Sequence, residues 1–277
     1  MLPQGPLFGQ HPAVVPGDIV TAIDGTAISA GQPVETLLNE KSGRRTLVDI
    51  KSADGSTRQL VVKPISSGRQ NMLLYTRWVK GREALVDSLS HGRLGYVHLD
   101  GMDDENFRNA YSAMLGKYND REGIIVDIRW NGGGRLHEDI EVLLSGSKYF
   151  TQEIRGDAVC DMPSRRWNKP SVMVMSEACY SNAHGTPWVY SHQGIGKTVG
   201  MPVPGTMSSV NWITMQDPTL VFGVPVIAYR LADGSILENQ QLEPDYKVEN
   251  SPEGVAAGED AQIAKAVEVL LNQIDAR

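Results

Sequence analysis

A serine that directly follows a predicted buried strand is the first candidate for chemistry. The apolar run at residues 171–175 ends just before residues 176–185, which contain Ser181. A serine at a strand-to-helix turn can expose its hydroxyl to backbone N–H groups, as a nucleophile requires. The Gly-x-Ser-x-Gly motif of α/β-hydrolases is absent, because Cys179 and Ala183 stand at the glycine positions. A plain helix N-cap is the alternative interpretation.

The glycine run at residues 131–134, Asn-Gly-Gly-Gly, is the second candidate, and it follows the apolar run at residues 123–128. Glycines allow positive φ and let backbone N–H groups approach a ligand closely. At the start of a helix these groups are unpaired and favour negative charge, so they could hold an oxyanion. Taken alone, the run is more typical of an ordinary turn.

Carboxylates and histidines supply the remaining candidates. Glu238 lies within residues 237–245 and could orient a catalytic group, although solvated turn residues are the default interpretation. His184 lies three residues after Ser181 on the same helix face. A serine and a histidine in one turn seldom align for proton transfer, so we interpret His184 as a core or surface histidine.

Cofactor motifs are incomplete. Residues 196–198 resemble the end of a P-loop, but Ser191 stands where the first glycine should be. Residues 137–139 lack the second histidine of a zinc-binding helix, and Cys160 and Cys179 have no metal-type spacing. We therefore expect no cofactor and no metal.

The elements that must position these residues fall into two groups. The first part of the chain reads as short strands with Asp-Gly hairpin turns. Strands are predicted at residues 19–23, 46–50 and 59–62, with a short helix at 34–39.

The remainder alternates strands and helices, which predicts an α/β sheet with right-handed crossovers and sites beyond the strand ends. The two apolar runs at 123–128 and 171–175 are typical of strands buried on both faces. Further strands are predicted at residues 95–99 and 224–229, and helices at 106–115, 137–144, 179–191 and 260–273.

Composition narrows the functional classes. The chain has 277 residues, 41% hydrophobic and 21% charged, which suits one or two globular domains. A net charge of -7 without a long basic run argues against nucleic-acid binding. No stretch approaches the roughly 20 apolar residues of a membrane helix. Residues 1–6 lack the basic and apolar regions of a secretion signal, and the compartment is left open.

In their order, the motifs resemble the tricorn-type S41 serine peptidases, relatives of the carboxyl-terminal processing proteases. Residues 16–25 resemble the Gly-Asp-x-Ile-x-x-Ile-x-Gly segment of a PDZ domain. Residues 92–98 and 125–134 resemble the opening of the peptidase core. Residues 176–182 resemble the nucleophile segment, and residues 238–246 resemble the acidic segment. The similarity runs over nearly the whole chain.

This resemblance implies an α/β (α+β) architecture, with a small β-rich PDZ-like unit before a crotonase/ClpP-like α/β peptidase core. We expect a partial PDZ-like domain at residues 1–68, a linker or helix at 69–92 and the S41-type core at 93–277. The chain would then be the C-terminal part of a longer enzyme.

The resemblance also implies residue roles. Ser181 would be the nucleophile, and Glu238 would orient the base through a hydroxyl. The backbone N–H groups of Asn182, Gly132 and Gly133 would form the oxyanion hole, with Gly133 the main glycine donor. The family often has aspartate at position 182, but the donor is main chain, so this departure is minor.

The family's catalytic base has no match in this sequence. In tricorn-type enzymes a histidine, with a supporting serine, lies in a helical segment before the PDZ unit. Ser90 and His91 have the right residue types, but they precede the first core strand and are interpreted as a surface turn. Residues 200–207 lack the lysine of the processing proteases, and Lys197 is a poor substitute. We expect the base to lie upstream of Met1.

The expected function is therefore peptide hydrolysis through an acyl-enzyme, with peptides or unfolded proteins as substrates. We expect no nucleic-acid partner and no membrane insertion, and a homo-oligomer is left open. The main alternative is a non-catalytic peptide-binding or scaffolding protein with the same fold. A crotonase-like enzyme acting on acyl groups is the second alternative, which the PDZ-like start disfavours.

Overall fold

The computed structural model describes residues 2–276, which divide into two compact units between Gly81 and Arg82. The two units contain separate sheets. Helix α2 (Ser67–Leu89) contains the division, in the region expected to be linker or helix. The expected domain limits at residues 68 and 93 stay predictions.

The first unit contains a four-stranded antiparallel sheet in the order β2-β1-β3-β4. Alternating residues of β3 and β4, Val48, Ile50, Leu60 and Val62, are buried in one cluster, as strand periodicity requires. The strands and hairpin turns predicted here are confirmed. Its elements are β1 (Ile19–Ile23), β2 (Thr26–Ala27), α1 (Val34–Leu38), β3 (Thr46–Lys51) and β4 (Thr57–Val62).

The second unit follows an α/β order. It contains β5 (Leu94–His98), α3 (Asp104–Ser112), β6 (Gly123–Asp127), α4 (His137–Leu144), β7 (Phe150–Ile154), β8 (Asp157–Met162), β9 (Ser171–Met175), α5 (Asn182–His192), β10 (Lys197–Gly200), β11 (Ser209–Thr214), β12 (Val221–Ile227), β13 (Tyr246–Lys247), α6 (Pro252–Ala256) and α7 (Ala261–Asp275). A π-helical turn, Ala113–Lys117, follows α3.

A five-stranded parallel sheet in the order β13-β10-β9-β6-β5 forms the centre of this unit. Every residue of β6 and β9 is buried, so their continuous apolar sequences match burial on both faces. Gly123 contacts α7, since a Cβ there would be 3.1 Å from side-chain atoms of Leu270 and Ile274. Ile124 and Met173 belong to the core cluster that also contains residues of α4 and α5. The predicted α/β fold is confirmed.

One predicted helix boundary was wrong. The helix predicted at 179–191 begins only at Asn182, because Ser181 has φ 55 and ψ -121, which is not a helical conformation. The strand predicted at 224–229 is confirmed as β12, although it pairs with β11 and lies outside the main sheet.

The β7–β8 hairpin and strand β11 were not predicted. Both belong to two-stranded sheets of largely exposed residues, so their sequences carry no alternation between buried and exposed positions. Within residues 2–276, no helix combines the length and apolarity needed to cross a bilayer.

Candidate active site

The two loops that contain the predicted site residues leave the same edge of the sheet. Strands β6 and β9 are parallel neighbours, with Asp127 opposite Val174. Their carboxyl ends therefore release residues 128–134 and 176–181 side by side, where open α/β sheets place their sites. Tyr180 N donates to Asn131 O at 3.0 Å, which joins the two loops directly.

Ser181 has an unusual backbone conformation between β9 and α5. It stands at the N-cap position of α5 with φ 55 and ψ -121, a region that residues other than glycine rarely adopt. Its N–H donates to Thr206 Oγ1 at 3.2 Å, and its side chain makes no cap hydrogen bond. The half-buried side chain is thus held at a sharp turn.

The glycine turn lies against this serine. A Cβ added to Gly133 would be 2.7 Å from Ser181 Cβ, 2.6 Å from Tyr180 O and 3.0 Å from Asn182 N. Gly133 also has φ +91, whereas a Cβ on Gly132 would meet nothing within 4 Å. Position 133 therefore needs glycine for both space and conformation.

The backbone donors around Ser181 differ in availability. The N–H groups of Asn182 and Gly132 have no hydrogen-bond partner within residues 2–276. Gly133 N instead donates to Asn131 Oδ1 at 2.8 Å. The structure thus brings the three expected oxyanion-hole residues together, with one of the N–H groups already engaged by a side chain.

The side chain of Asn182 connects the nucleophile turn to α4. Its Oδ1 accepts from Leu136 N at 2.8 Å and from His137 N at 3.1 Å, while its Nδ2 lies 2.8 Å from His137 Nδ1. These two N–H groups belong to the start of α4, which has no side-chain cap of its own. Asn182 is 3% exposed, so this cap forms away from solvent.

A buried ion cluster fixes the segment before the glycine turn. Arg129 Nη2 lies 2.6 Å from Asp127 Oδ2, and Nη1 lies 3.0 Å from Asp260 Oδ1. Burial alone would lower the pKa of Arg129, but the two carboxylates raise it above its usual value, so the guanidinium stays charged. Asp260 is also the N-cap of α7, accepting from Ile263 N. The cluster thus ties the segment before the glycine turn to the start of α7.

Glu238 is positioned by the loop that also binds Ser181. Glu238 Oε2 accepts from Met207 N at 2.8 Å and from Ser208 N at 2.6 Å, immediately after Thr206. Burial alone would raise the pKa of Glu238, but these hydrogen bonds outweigh it and hold the pKa below the usual value. Residues 206–208 therefore connect an ionised carboxylate with the backbone of Ser181.

None of the candidate bases in the described residues reaches Ser181 through a hydrogen bond. His184 is fully buried, and neither ring nitrogen has a partner in residues 2–276. Burial lowers its pKa, while the backbone of Gln240 and the negative charge of Glu238 oppose this shift. Lys197 Nζ pairs with Asp245 Oδ1 at 2.7 Å.

The interpretation of Ser90 and His91 as a surface turn was wrong for Ser90. Ser90 is buried, and its Oγ accepts from Leu94 N at 3.2 Å, so it caps the entry into β5. His91 is exposed, with φ 52.

Sequence reasoning missed Asn131 and Thr206. Asn131 is fully buried, and its Nδ2 donates to Leu99 O at 2.9 Å while its Oδ1 binds Gly133. Its place directly before the glycines was the available signal. Thr206 is 25 residues from Ser181, and no local pattern marks it.

Among residues 2–276, no group of three or more His, Cys, Asp or Glu side chains could hold a metal ion. An apolar cavity of about 580 Å³ lies in the first unit, lined by residues that include Leu7, Phe8, Val34, Leu38 and Val48.

Comparison with known proteins places the second unit in a family. A profile described as Peptidase family S41 matches residues 93–248, more than half of the chain. The chain belongs to peptidase family S41. The matched region includes Ser181, Asn182, the glycine turn and Glu238. A second profile, Tricorn protease PDZ domain, matches residues 3–67.

This S41 chain is similar to several larger proteins. It is 24% identical over 259 residues to the Tricorn protease of Thermoplasma acidophilum, covering 93% of this chain and 24% of that protein. It is 27% identical over 285 residues to Tricorn protease homolog 1 of Streptomyces coelicolor, covering 98% of this chain and 25% of that protein. A crystal structure of the tricorn protease superposes with a TM-score of 0.80 at 23% identity, covering 97% of this chain and 26% of that chain. The S41 chain thus spans about a quarter of the length of these relatives.

Proposed function

We propose that this chain carries the nucleophile site of a serine endopeptidase that hydrolyses peptides or unfolded proteins. The observation that carries the proposal is Ser181, held at φ 55 at the start of α5 with Gly133 against its Cβ. Strained serines at strand-to-helix turns present their hydroxyl to a substrate carbonyl.

Ser181 Oγ attacks the carbonyl carbon of the scissile peptide bond while a base accepts its proton. The proton then passes to the leaving amine, the C–N bond breaks and an acyl-enzyme remains, which water hydrolyses. The tetrahedral oxyanion forms beside Asn182 N–H, whose donor is free and lies at a helix N-terminus.

Gly132 and Gly133 supply the second side of this oxyanion hole. Gly132 N–H is unpaired, whereas Gly133 N–H must release Asn131 Oδ1 before it can donate to the oxyanion. Asn131 thereby keeps the turn ordered while no substrate is bound.

Glu238 orients the base in this proposal. Its Oε2 is occupied by two backbone N–H groups and its pKa is lowered, so an ionised carboxylate is available beside the site. As the resemblance to tricorn-type enzymes implies, a hydroxyl bound to this carboxylate would hold the base histidine, both supplied from outside residues 2–276.

The test is labelling with a fluorophosphonate serine probe, together with peptide hydrolysis. Both are measured on the longer protein that contains this chain, called here the parent-length protein. We expect Ser181→Ala to abolish both, whereas Ser164→Ala, at an exposed serine, leaves both unchanged. Removing a serine nucleophile costs on the order of 10⁶-fold in turnover. Activity of Ser181→Ala within tenfold of wild type would contradict the assignment of Ser181 as the nucleophile.

The same experiment separates the alternatives. A scaffolding protein would bind peptides without labelling or turnover in either serine variant. A crotonase-like enzyme would bind coenzyme A, which can be measured by calorimetry on the same samples.

A further inference from the structure

His137, the first residue of α4, is tied to the nucleophile turn through its imidazole ring. Its Nδ1 lies 2.8 Å from Asn182 Nδ2, and Asn182 directly follows Ser181. The ring also makes a T-shaped contact with Tyr229, with the ring centroids 6.3 Å apart and the planes at 90°. Two contacts therefore hold the imidazole beside the residue that supplies a free oxyanion donor.

The backbone determines which atom of the Asn182 amide faces this ring. Asn182 Oδ1 accepts from Leu136 N at 2.8 Å and from His137 N at 3.1 Å. An amide nitrogen cannot accept these bonds, so the oxygen must stay on that side and Nδ2 must face the imidazole. The orientation of the Asn182 amide is thus set without reference to the state of the ring.

This orientation fixes the tautomer of His137. Asn182 Nδ2 can only donate, so Nδ1 of the imidazole must accept and carries no proton. A neutral imidazole then carries its proton on Nε2. Within residues 2–276 this Nε2 has no hydrogen-bond partner, and the half-buried ring leaves it accessible to solvent. His137 therefore presents one oriented, uncharged N–H donor.

Other buried histidines of the second unit are arranged differently. His184 is fully buried, and both of its ring nitrogens are sealed from solvent. His98 Nε2 lies 3.1 Å from Arg129 O, so the protein itself occupies that atom. In His137 the protein holds one nitrogen and leaves the other accessible, which is the arrangement of a pre-organised ligand contact.

A peptide bound at Ser181 needs donors beyond the oxyanion hole. Binding removes water from the carbonyls next to the scissile bond, and each of them then requires a new hydrogen-bond partner. The proposed oxyanion hole already uses the unpaired N–H groups of Asn182 and Gly132. His137 Nε2–H is a further donor beside Asn182. Because it is uncharged, it matches a neutral peptide carbonyl, whereas a buried carboxylate would need a charged partner.

We propose that His137 contacts the substrate, with its Nε2–H donating to a main-chain carbonyl of the peptide next to the scissile bond. Asn182 acts as the positioning residue for this contact, because its side chain selects the tautomer that carries the proton on Nε2. The inference rests on the proposed peptidase function, but the tautomer can be measured without catalysis.

Nitrogen-15 NMR of the imidazole in the 277-residue chain tests the tautomer. At a pH where the ring is neutral, we expect Nδ1 to have the chemical shift of an unprotonated nitrogen and Nε2 that of a protonated one. In Asn182→Asp an acceptor oxygen replaces Nδ2, so Nδ1 should become protonated. A wild-type ring protonated on Nδ1 would overturn the assignment, as would an unchanged Nδ1 signal in the aspartate variant.

Hydrolysis of an internally quenched fluorogenic peptide by the parent-length protein tests the substrate contact. His137→Phe keeps an aromatic ring against Tyr229 but removes the donor. We expect its KM to rise about fivefold or more, the effect of one lost hydrogen bond, while kcat changes less than about twofold. His137→Gln should recover part of this loss, because its Oε1 can accept from Asn182 Nδ2 while its Nε2 donates. His192→Phe is the matched control, since His192 also contacts an aromatic ring, that of Trp188, but at the exposed end of α5.

The fluorophosphonate probe separates failure of this inference from failure of the proposed function. The probe reacts with Ser181 without a peptide, so His137→Phe should be labelled as fast as wild type. An unchanged KM in His137→Phe would overturn the substrate contact. Slow labelling of His137→Phe would show that the ring only supports the fold, and would overturn it as well. Labelling and hydrolysis that survive Ser181→Ala would contradict the proposed function and the contact together, while the tautomer would stand on the NMR result.

Discussion

Gly133 and Ser181 are in direct contact across two loops that are 48 residues apart: a Cβ on Gly133 would lie 2.7 Å from Ser181 Cβ. This relationship makes the glycine turn and the nucleophile turn a single unit. Neither turn can shift without the other, since Tyr180 N also donates to Asn131 O. The chemistry proposed for Ser181 therefore depends on glycine at position 133.

Gly133→Ala should disrupt the site, because alanine meets Tyr180 O and Ser181 Cβ and must adopt φ +91. We expect the rate of serine-probe labelling of the parent-length protein to fall by about 10²-fold or more, the usual cost of a lost oxyanion donor. Gly132→Ala is the control, since a Cβ there meets nothing within 4 Å and its N–H is kept. Equal labelling of the two variants would contradict this account.

Ser181→Gly should be more stable than Ser181→Ala. Glycine adopts φ 55 without the steric cost that alanine and serine carry, so we expect a difference of about 1 kcal/mol in the free energy of unfolding. Urea denaturation of both variants measures this difference. If alanine proved as stable as glycine, the strained conformation of Ser181 would be wrong.

Asn182→Ala should destabilise the second unit by about 1–2 kcal/mol, because it removes the side-chain cap from Leu136 N and His137 N. Asn182→Asp keeps an oxygen acceptor at a helix N-terminus, where negative charge is favourable, and should lose less. Thermal unfolding of the three proteins distinguishes them. If the aspartate variant were less stable than the alanine variant, residue 182 would not cap α4 in the way described.

Glu238→Gln should keep the fold but lower turnover in the parent-length protein, because a neutral amide orients the base and stabilises an imidazolium less well. The kcat of peptide hydrolysis measures the effect. Unchanged kcat and KM would remove Glu238 from the site.

The same variant has an expected pH signature in stability. The folded pKa of Glu238 is lowered by Ser208 and Met207 N–H, so its contribution is present above the unfolded pKa of about 4.3 and is lost as the pH falls through the folded pKa. The stability difference between wild type and Glu238→Gln should therefore narrow as the pH falls below this range. If the stability difference widened as the pH fell, the folded pKa of Glu238 would be raised and not lowered.

The 277-residue chain alone should hydrolyse peptides very slowly, because a serine hydroxyl without a hydrogen-bonded base is a weak nucleophile. A peptidase assay on the purified chain, repeated with His184→Ala and His91→Ala after circular dichroism confirms folding, tests this. Robust activity that disappears in one of these variants would identify that histidine as the base.

The sequence by itself determined the strands, the turns and the order of the candidate segments. Residues 123–127 and 171–175 are continuous apolar runs because both faces of their strands are buried, and Asp-Gly pairs mark the tight hairpins of the first unit. Such signals lie within a few neighbouring residues, so they can be read without the fold. They were sufficient to place Ser181 and the glycine run at strand ends.

Only the tertiary structure decided which groups meet there. The Thr206 hydroxyl binds Ser181 N, the Asn131 side chain engages Gly133 N, and Asn182 caps a helix 45 residues away. Each contact depends on side-chain direction and on the parallel pairing of β6, β9 and β10, which no local spacing encodes. The β7–β8 hairpin and strand β11 also escaped detection, because a strand with no buried face leaves no periodic pattern in its residues.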